Sequence, residues 1–113
     1  MPGQYAEPAG CIFLAWDKDR LIGSVAVRPM NKPGFCEMKR LYLREPWRGR
    51  GIGRRLAEDC LSFACDAGYA KMQLDTERRL ESAIRMYGKL GFGEIGQYYE
   101  NPMEDMLYME KEL

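Results

Sequence analysis

A short segment in the middle of the chain has residue types that could bind an anion. Residues 48–54 read RGRGIGR, so that glycines and arginines alternate between an apolar strand pattern and a helical pattern. The first turn of a helix has unpaired N–H groups and a partial positive charge, and glycine lets an anion approach the backbone closely. The pattern therefore indicates a pyrophosphate site at a helix N-terminus. The alternative is a solvated basic loop whose glycines give flexibility.

Known phosphate-binding patterns narrow this interpretation. The ATP-type P-loop is absent, because the only Gly-Lys pair, at 88–89, lacks the earlier glycine. The dinucleotide pattern G-x-G-x-x-G fails at Arg54, which stands where the third glycine belongs. A third pattern, R/Q-x-x-G-x-G/A, is fully satisfied by Arg48, Gly51 and Gly53.

The types of residue available restrict the rest of the chemistry. The chain has no histidine, and its four cysteines, at 11, 36, 60 and 65, form no C-x-x-C pair. These facts exclude Ser-His-Asp and Cys-His catalysis and most zinc sites, so we expect no metal. Proton transfer must then use a carboxylate, Tyr, Lys, Cys or water. Each cysteine falls in an apolar strand or helix pattern, which predicts four reduced core residues.

Composition indicates the broad class of protein. With 113 residues, of which 46% are apolar, we expect one domain spanning 1–113. Seventeen basic residues balance seventeen acidic ones, which argues against a nucleic-acid binder or a membrane-surface binder. No apolar run approaches the length of a membrane span, and the first residues lack the features of a signal peptide, so we expect a cytoplasmic location.

Hydrophobic periodicity predicts the elements that would position these residues. Strands are predicted at 11–16, 21–28, 35–43 and 71–75, weaker strands at 92–99 and 106–110, and helices at 52–67 and 80–90. Alternation in the third strand places Glu37 and Leu41 on one face. A single helix joins the third and fourth strands, so these should be parallel with a right-handed crossover. The fold class is α/β (α+β), a mixed and mostly antiparallel sheet with flanking helices.

Three segments together resemble the GNAT superfamily of N-acetyltransferases. CEMKRLYLREPWRGRGIGRRL (36–56) is similar to that family's acetyl-CoA strand, pyrophosphate loop and following helix. ESAIRMYGKLGF (81–92) is similar to the helix that bears a tyrosine shortly before Gly-Phe. YYENPMEDMLYMEKEL (98–113) is similar to the closing strands of one subgroup. The resemblance covers roughly residues 10–113 and implies the GNAT fold, in which a parallel pair of strands splays apart.

The resemblance also implies a mode of cofactor binding. Acetyl-CoA would lie between the strands at 35–43 and 71–75 as a co-substrate. The backbone of Leu41, Tyr42 and Leu43 would pair with the pantetheine arm. The pyrophosphate would lie against the loop residues Arg48, Gly49, Arg50, Gly51, Ile52, Gly53 and Arg54.

The reaction that the resemblance implies is direct attack of a primary amine on the thioester. Tyr87 matches the family's general-acid position, and Glu37 is the candidate base, acting directly or through water. A core aromatic is the alternative for Tyr87, and a carboxylate paired with arginine is the alternative for Glu37. Asp75 and Thr76, at the end of the second splayed strand, and the aromatic pair Tyr98 and Tyr99 are candidates for contacting the acceptor.

Two departures from the family pattern leave alternatives open. Leu80 stands where many members have an asparagine that contacts the cofactor. The family usually has a strand and two helices before the hairpin at 11–28, so we expect either a fragment or a gap filled by a partner chain, and we predict a homo-oligomer. A non-catalytic acyl-CoA or nucleotide-binding module, or a truncated relic of the fold, is the alternative to an enzyme.

Overall fold

A six-stranded sheet with two α-helices forms the structure, a computed structural model that describes residues 10–113. In chain order the elements are β1 (Cys11–Asp17), β2 (Arg20–Pro29), β3 (Phe35–Leu43), a short 3₁₀ helix (Glu45–Trp47), α1 (Ile52–Asp66), β4 (Lys71–Glu77), α2 (Glu81–Lys89), β5 (Gly93–Ile95) and β6 (Met106–Glu112). The predicted hairpin, the long central helix and the predicted mixed sheet are confirmed. No helix within the described residues is long and apolar enough to cross a membrane.

The strand order is β1-β2-β3-β4-β6-β5, and only β3 and β4 run parallel. Their pairing covers Phe35–Glu37 against Lys71–Gln73 and stops there. Beyond Glu37 and Gln73 the two strands separate, and no strand among residues 10–113 pairs with their facing backbone edges. The prediction of a parallel pair that splays is therefore confirmed, and the separation opens the sheet at its centre.

The core lies between the sheet and α1. The helix presents Leu56, Cys60 and Ala64 at spacings of four, and all three are fully buried. They pack on sheet residues such as Met72 and Leu74, in one cluster that also includes Tyr87 of α2. Burying each large apolar side chain contributes roughly 1.5–3 kcal/mol. This packing fixes the start of α1 relative to the ends of β3 and β4.

A β-bulge in β3 makes one sequence prediction wrong. Ser24 pairs with Tyr42 whereas Ala26 pairs with Lys39, so β3 has one extra residue, and Arg40 takes a positive φ of 57°. The extra residue reverses the alternation. Leu41 consequently packs against the core on the same face as Met38, and Glu37 lies on the opposite face.

Two further predictions differ from the structure. The strand predicted at 92–99 is confined to β5, and Tyr98 and Tyr99 lie in an irregular segment, where their hydroxyls bond to carboxylates on the sheet. Cys65 is exposed, because it lies off the buried stripe of α1. The other three cysteines are buried or partly buried, and all four are free thiols.

Candidate active site

The opening between β3 and β4 contains a cavity of about 520 Å³, here called the central cavity. Because the strands no longer bond to one another, side chains and backbone of both face this space. α2 closes one side of it with Leu80, Ala83 and Tyr87. The remaining wall consists of Met38, Lys39, Arg40, Leu41, Leu74, Asp75, Thr76, Glu77, Tyr99, Asn101, Met103 and Met106.

A groove of about 710 Å³, here called the loop groove, adjoins the central cavity. The two share Leu41, Leu80 and Ala83 in their walls, so they lie side by side. The groove brings together most of the residues expected to bind a cofactor, namely Leu41, Tyr42, Leu43, Arg48, Gly49, Gly51, Gly53 and Arg54. The expected residues Arg50, which lies in the same loop, and Ile52, the first residue of α1, are not part of the groove lining. Residues of the α2 side complete the lining: Arg79, Glu81, Ser82 and Met86.

The loop presents its backbone to this groove. Gly51 is the N-cap of α1, with φ 83° and ψ 1°, and within the described part of the chain no side-chain hydrogen bond caps the first turn. Gly49 also has a positive φ, of 79°. A Cβ atom placed on Gly49, Gly51 or Gly53 would meet no protein atom within 4 Å. The glycines thus leave open space in front of uncapped helix N–H groups, which fits a bound anion.

Two arginines border the groove in defined positions. Arg48 donates from Nε to the backbone oxygen of Leu43 at 2.8 Å, which joins the loop to the end of β3. Arg54 pairs through Nε with Glu58 at 3.3 Å on the exposed side of α1. The Leu43 carbonyl oxygen therefore already accepts one hydrogen bond, from Arg48. The positive charges of Arg48 and Arg54 lie at the border of the groove.

Tyr87 of α2 projects into the central cavity. Its side chain is only 6% exposed, and its ring packs edge-to-face on Phe92 with centroids 5.9 Å apart. Burial, assisted by the negative charges that Cys60 and Asp75 would carry, raises the pKa of Tyr87 to about 12. The residue therefore remains a phenol at neutral pH and can act as a proton donor.

A third cavity, of about 470 Å³, lies beyond the central cavity and is here called the outer cavity. Tyr99 lines both. The outer cavity carries two cationic side chains, Arg28 and Lys32, and one buried carboxylate, Glu37. The rest of its lining is Pro29, Met30, Asn31, Gln73 and Tyr98.

Glu37 is a buried carboxylate whose side chain is 3% exposed. Arg28 places both Nε and an Nη atom 2.8 Å from its Oε1. Tyr98 donates its hydroxyl to Oε2 at 2.6 Å, and the Lys39 ammonium lies 3.5 Å from the same oxygen. The sequence-based alternative, a carboxylate paired with arginine, is thus observed. A role as base stays a prediction.

Asp75 of β4 faces Glu37 across the opening. Its Oδ2 accepts hydrogen bonds from the Tyr99 hydroxyl and from Nδ2 of Asn101, the latter at 3.2 Å. Its Oδ1 lies 3.5 Å from the Lys39 ammonium. Lys39 therefore lies between the two carboxylates, and it also lies 5.3 Å from the centre of the Tyr99 ring. The neighbouring candidate Thr76 is buried in the wall of the central cavity.

Burial raises the pKa of both Tyr98 and Tyr99, and their bonds to Glu37 and Asp75 raise it further. Both rings also pack against Tyr108, at centroid distances of 5.3 and 5.9 Å. The two tyrosines are therefore hydroxyl donors at neutral pH, and they hold the carboxylates in place.

Sequence reasoning missed Arg28, Lys39 and Asn101 as members of the site. Alternation along β3 places Lys39 on the face of Glu37, and the pairing of Arg28 with Glu37 between β2 and β3 follows from the strand register. The alternation could have identified Lys39, and the strand register could have identified Arg28. Asn101 lies in an irregular segment, and no local pattern brings it to Asp75. Among residues 10–113, no group of three or more His, Cys, Asp or Glu side chains could hold a metal ion.

Comparison with known proteins gives consistent matches. A family model described as "Acetyltransferase (GNAT) family" matches residues 2–92. An uncharacterized N-acetyltransferase of Schizosaccharomyces pombe is 39% identical over 111 residues, which is 97% of this chain and 68% of that protein. Human N-acetyltransferase 8B is 34% identical over 99 residues, 83% of this chain and 43% of that protein. The chain therefore spans less than half the length of the human relative.

Two solved structures have the same fold and contain the expected ligand. An acetyltransferase of Bacillus subtilis in complex with CoA superposes with a TM-score of 0.79 at 21% identity, covering 99% of this chain and 82% of that one. A GNAT family acetyltransferase of Elizabethkingia anophelis with acetyl-CoA bound gives a TM-score of 0.78 at 24% identity, with coverage of 93% and 77%.

Proposed function

The chain belongs to the GNAT family of acetyltransferases, and on that premise we propose that it transfers the acetyl group of acetyl-CoA directly to a primary amine. One observation carries the proposal. The groove at the glycine-lined start of α1 adjoins the cavity that contains Tyr87, and the two share Leu41, Leu80 and Ala83 in their walls. Together they offer a place for an anion at one end and a proton donor at the other. The ligands of the two related structures, CoA and acetyl-CoA, support acetyl-CoA as the co-substrate.

The loop would hold the pyrophosphate chiefly through its backbone. The N–H groups of the 48–54 segment, with the partial positive charge of the α1 N-terminus, favour an anion there. Arg48 and Arg54 add positive charge at the edges of the groove. The unpaired edge of β3 at Leu41–Leu43 would pair with the amide groups of the pantetheine arm, as a further strand pairs with a sheet. That arrangement directs the thioester toward the central cavity.

Tyr87 would protonate the departing thiolate. A thiol has an ordinary pKa near 8.5. The pKa of Tyr87 is about 12, so its phenol is still protonated when the thiolate departs. Amine attack also requires a proton acceptor, because a primary amine has a pKa near 10 and arrives as an ammonium. Three carboxylates lie near this point: Asp75 and Glu77 line the central cavity, and Glu37 lines the outer cavity.

The acceptor amine would enter from the outer cavity, on the side of the sheet opposite α1. Arg28 and Lys32 at its rim and Glu37 in its depth give this cavity both signs of charge. A non-catalytic acyl-CoA binder is the alternative to this proposal. A protein that only binds acyl-CoA would have no need of a buried phenol and two carboxylates around one opening.

A thiol-release assay over a panel of amines tests the proposal. Propylamine, spermidine, aspartate and a peptide with a free N-terminus would each be incubated with acetyl-CoA and the protein, and free CoA thiol would be measured. We expect amine-dependent release with at least one acceptor, together with saturable acetyl-CoA binding by calorimetry. Binding without amine-dependent release would favour the non-catalytic alternative, and absence of binding would refute the proposal.

A further inference from the structure

A partly buried carboxylate, Asp75, and a buried one, Glu37, lie beside the opening between β3 and β4, and the proposed reaction needs one proton acceptor. A third carboxylate, Glu77, lines the central cavity but accepts two hydrogen bonds from Arg79, at 3.0 and 3.2 Å. We infer that the proton acceptor is Asp75 and that Glu37 is a positioning residue. The inference rests on the proposed function, since it assigns a role within that reaction. It reverses the assignment expected from the sequence, in which Glu37 is the base.

The hydrogen-bonding capacity of the two carboxylates differs. An ionised carboxylate offers about four acceptor positions. Four donor atoms already approach Glu37: two of Arg28, the Tyr98 hydroxyl and the Lys39 ammonium. Within residues 10–113, three approach Asp75, and one of these three, Lys39, approaches Oδ1. Asp75 Oδ1 is therefore the carboxylate oxygen that has room for a substrate N–H.

The location of Asp75 also favours it. Asp75 lines the central cavity together with Tyr87, as does Glu77, whose carboxylate is bonded to Arg79, whereas Glu37 lines the outer cavity. The negative charge of Asp75 contributes, after burial and Cys60, to the raised pKa of Tyr87, which is consistent with the two groups acting on the same cavity. A proton acceptor and a proton donor must both reach the atoms bonded to the thioester carbon, and these two residues share a cavity in which that carbon can lie.

Lys39 shows that an ammonium is accommodated at this position. Its Nζ lies 3.5 Å from Asp75 Oδ1 and 5.3 Å from the centre of the Tyr99 ring. Its side chain is partly exposed, at 23%, so it can move aside. An acceptor ammonium bound beside Lys39, or in its place, would meet the same carboxylate oxygen and the same aromatic face.

The proton balance of the step is simple. The acceptor R–NH₃⁺ gives one proton to Asp75 Oδ1, and the resulting amine forms a C–N bond to the thioester carbonyl. When the tetrahedral adduct collapses, the C–S bond breaks and Tyr87 protonates the thiolate. Tyr87 regains a proton from the nitrogen, which is then part of a neutral amide. Asp75 releases its proton to solvent, so each turnover yields CoA thiol, amide and one proton.

The pH dependence of three variants tests the inference. Asp75→Asn, Glu37→Gln and the control Asp66→Asn, on the exposed end of α1, would be compared with the parent on the best amine of the panel. Asp75→Asn should lower kcat by about 10²–10⁴-fold, the usual contribution of a general base. Its kcat/KM should then rise with pH toward the amine pKa near 10, because only amine already deprotonated in solution can react. Glu37→Gln should lower kcat by less than tenfold. Its kcat/KM should keep the pH dependence of the parent.

The outcomes distinguish this inference from the proposed function. All variants would first be checked for acetyl-CoA affinity by calorimetry and for thermal unfolding, so that a misfolded variant is recognised. A kcat/KM that rises toward the amine pKa in Glu37→Gln, while Asp75→Asn keeps the pH profile of the parent, would overturn the inference. Retention of parent-like rates and profiles in both variants would also overturn it, and would indicate a water chain. A parent protein that binds acetyl-CoA yet acetylates no amine would instead refute the proposed function, and this assignment with it.

Discussion

Replacing Gly51 by glutamate should abolish cofactor binding while leaving the protein folded. Gly51 has a φ of 83° and faces open groove rather than protein atoms. A side chain there is strained by about 1–2 kcal/mol, which corresponds to a fall in Tm of roughly 4–10 °C for a domain of this size. The carboxylate would also occupy the space expected for the pyrophosphate and compete for the first N–H groups of α1.

The loss of affinity can be sized from those N–H groups. If two hydrogen bonds to a charged oxygen are lost, each contributes about 1.5–3 kcal/mol. The sum of about 3–6 kcal/mol weakens binding by roughly 10²–10⁴-fold. Calorimetry with CoA and acetyl-CoA would then detect a clear signal for the parent and none for Gly51→Glu.

Gly68→Glu is the matched control for this change. Gly68 also has a positive φ, of 90°, and a Cβ atom placed on it would meet no protein atom within 4 Å, but it lies after the other end of α1. The variant introduces the same charge and similar strain, with a slightly larger stability loss because a carboxylate is unfavourable at a helix C-terminus. It should bind CoA as the parent does. If Gly51→Glu binds CoA as tightly as Gly68→Glu, the loop is not the pyrophosphate site.

Three further predictions concern the rest of the molecule. Tyr87→Phe should keep CoA affinity and lower turnover about a hundredfold or more; unchanged turnover across pH would rule out the acid role. The free energy of unfolding should fall as pH rises from about 9 toward 12, because burial raises the pKa of Cys36 and Cys60 to about 12, so the unfolded chain loses these protons first. Urea melts under reducing conditions at neutral and alkaline pH measure this, and a flat dependence contradicts it. Leu14 and Trp16 are exposed on the edge strand β1, so copies should associate, and Leu14→Lys should weaken that association in light scattering; a monomeric parent at high concentration and low salt opposes it.

Features set by local periodicity could be predicted from the sequence. The stripe of α1 and the alternation of β2 follow directly from which residues are apolar, because a helix or a strand repeats its faces at a fixed spacing. The loop at 48–54 could likewise be located, since its glycines and arginines precede a helical pattern. The parallel pairing of β3 with β4 followed from the single helix between them.

Features set by tertiary contacts could not be predicted in this way. The bulge at Arg40 adds one residue to β3, and alternation alone then places Leu41 on the wrong face. The bonds from Tyr98 to Glu37 and from Tyr99 to Asp75 join residues 61 and 24 positions apart, so no local pattern indicates them. The site depends on these contacts, and for that reason the choice between the two carboxylates emerged only from the structure.

Direct transfer from acetyl-CoA to an amine is the central claim, and a single-turnover experiment with isotopically labelled acetyl-CoA tests it. The protein in excess would be mixed with labelled acetyl-CoA, with and without the best amine, and the label would be followed on the amine and on the intact chain by mass spectrometry. We expect label on the amine nitrogen in step with CoA thiol release, and an unlabelled chain without amine. Label that first accumulates on the protein and then moves to the amine would contradict direct attack, and thiol release that leaves the amine unlabelled would contradict N-acetyl transfer altogether.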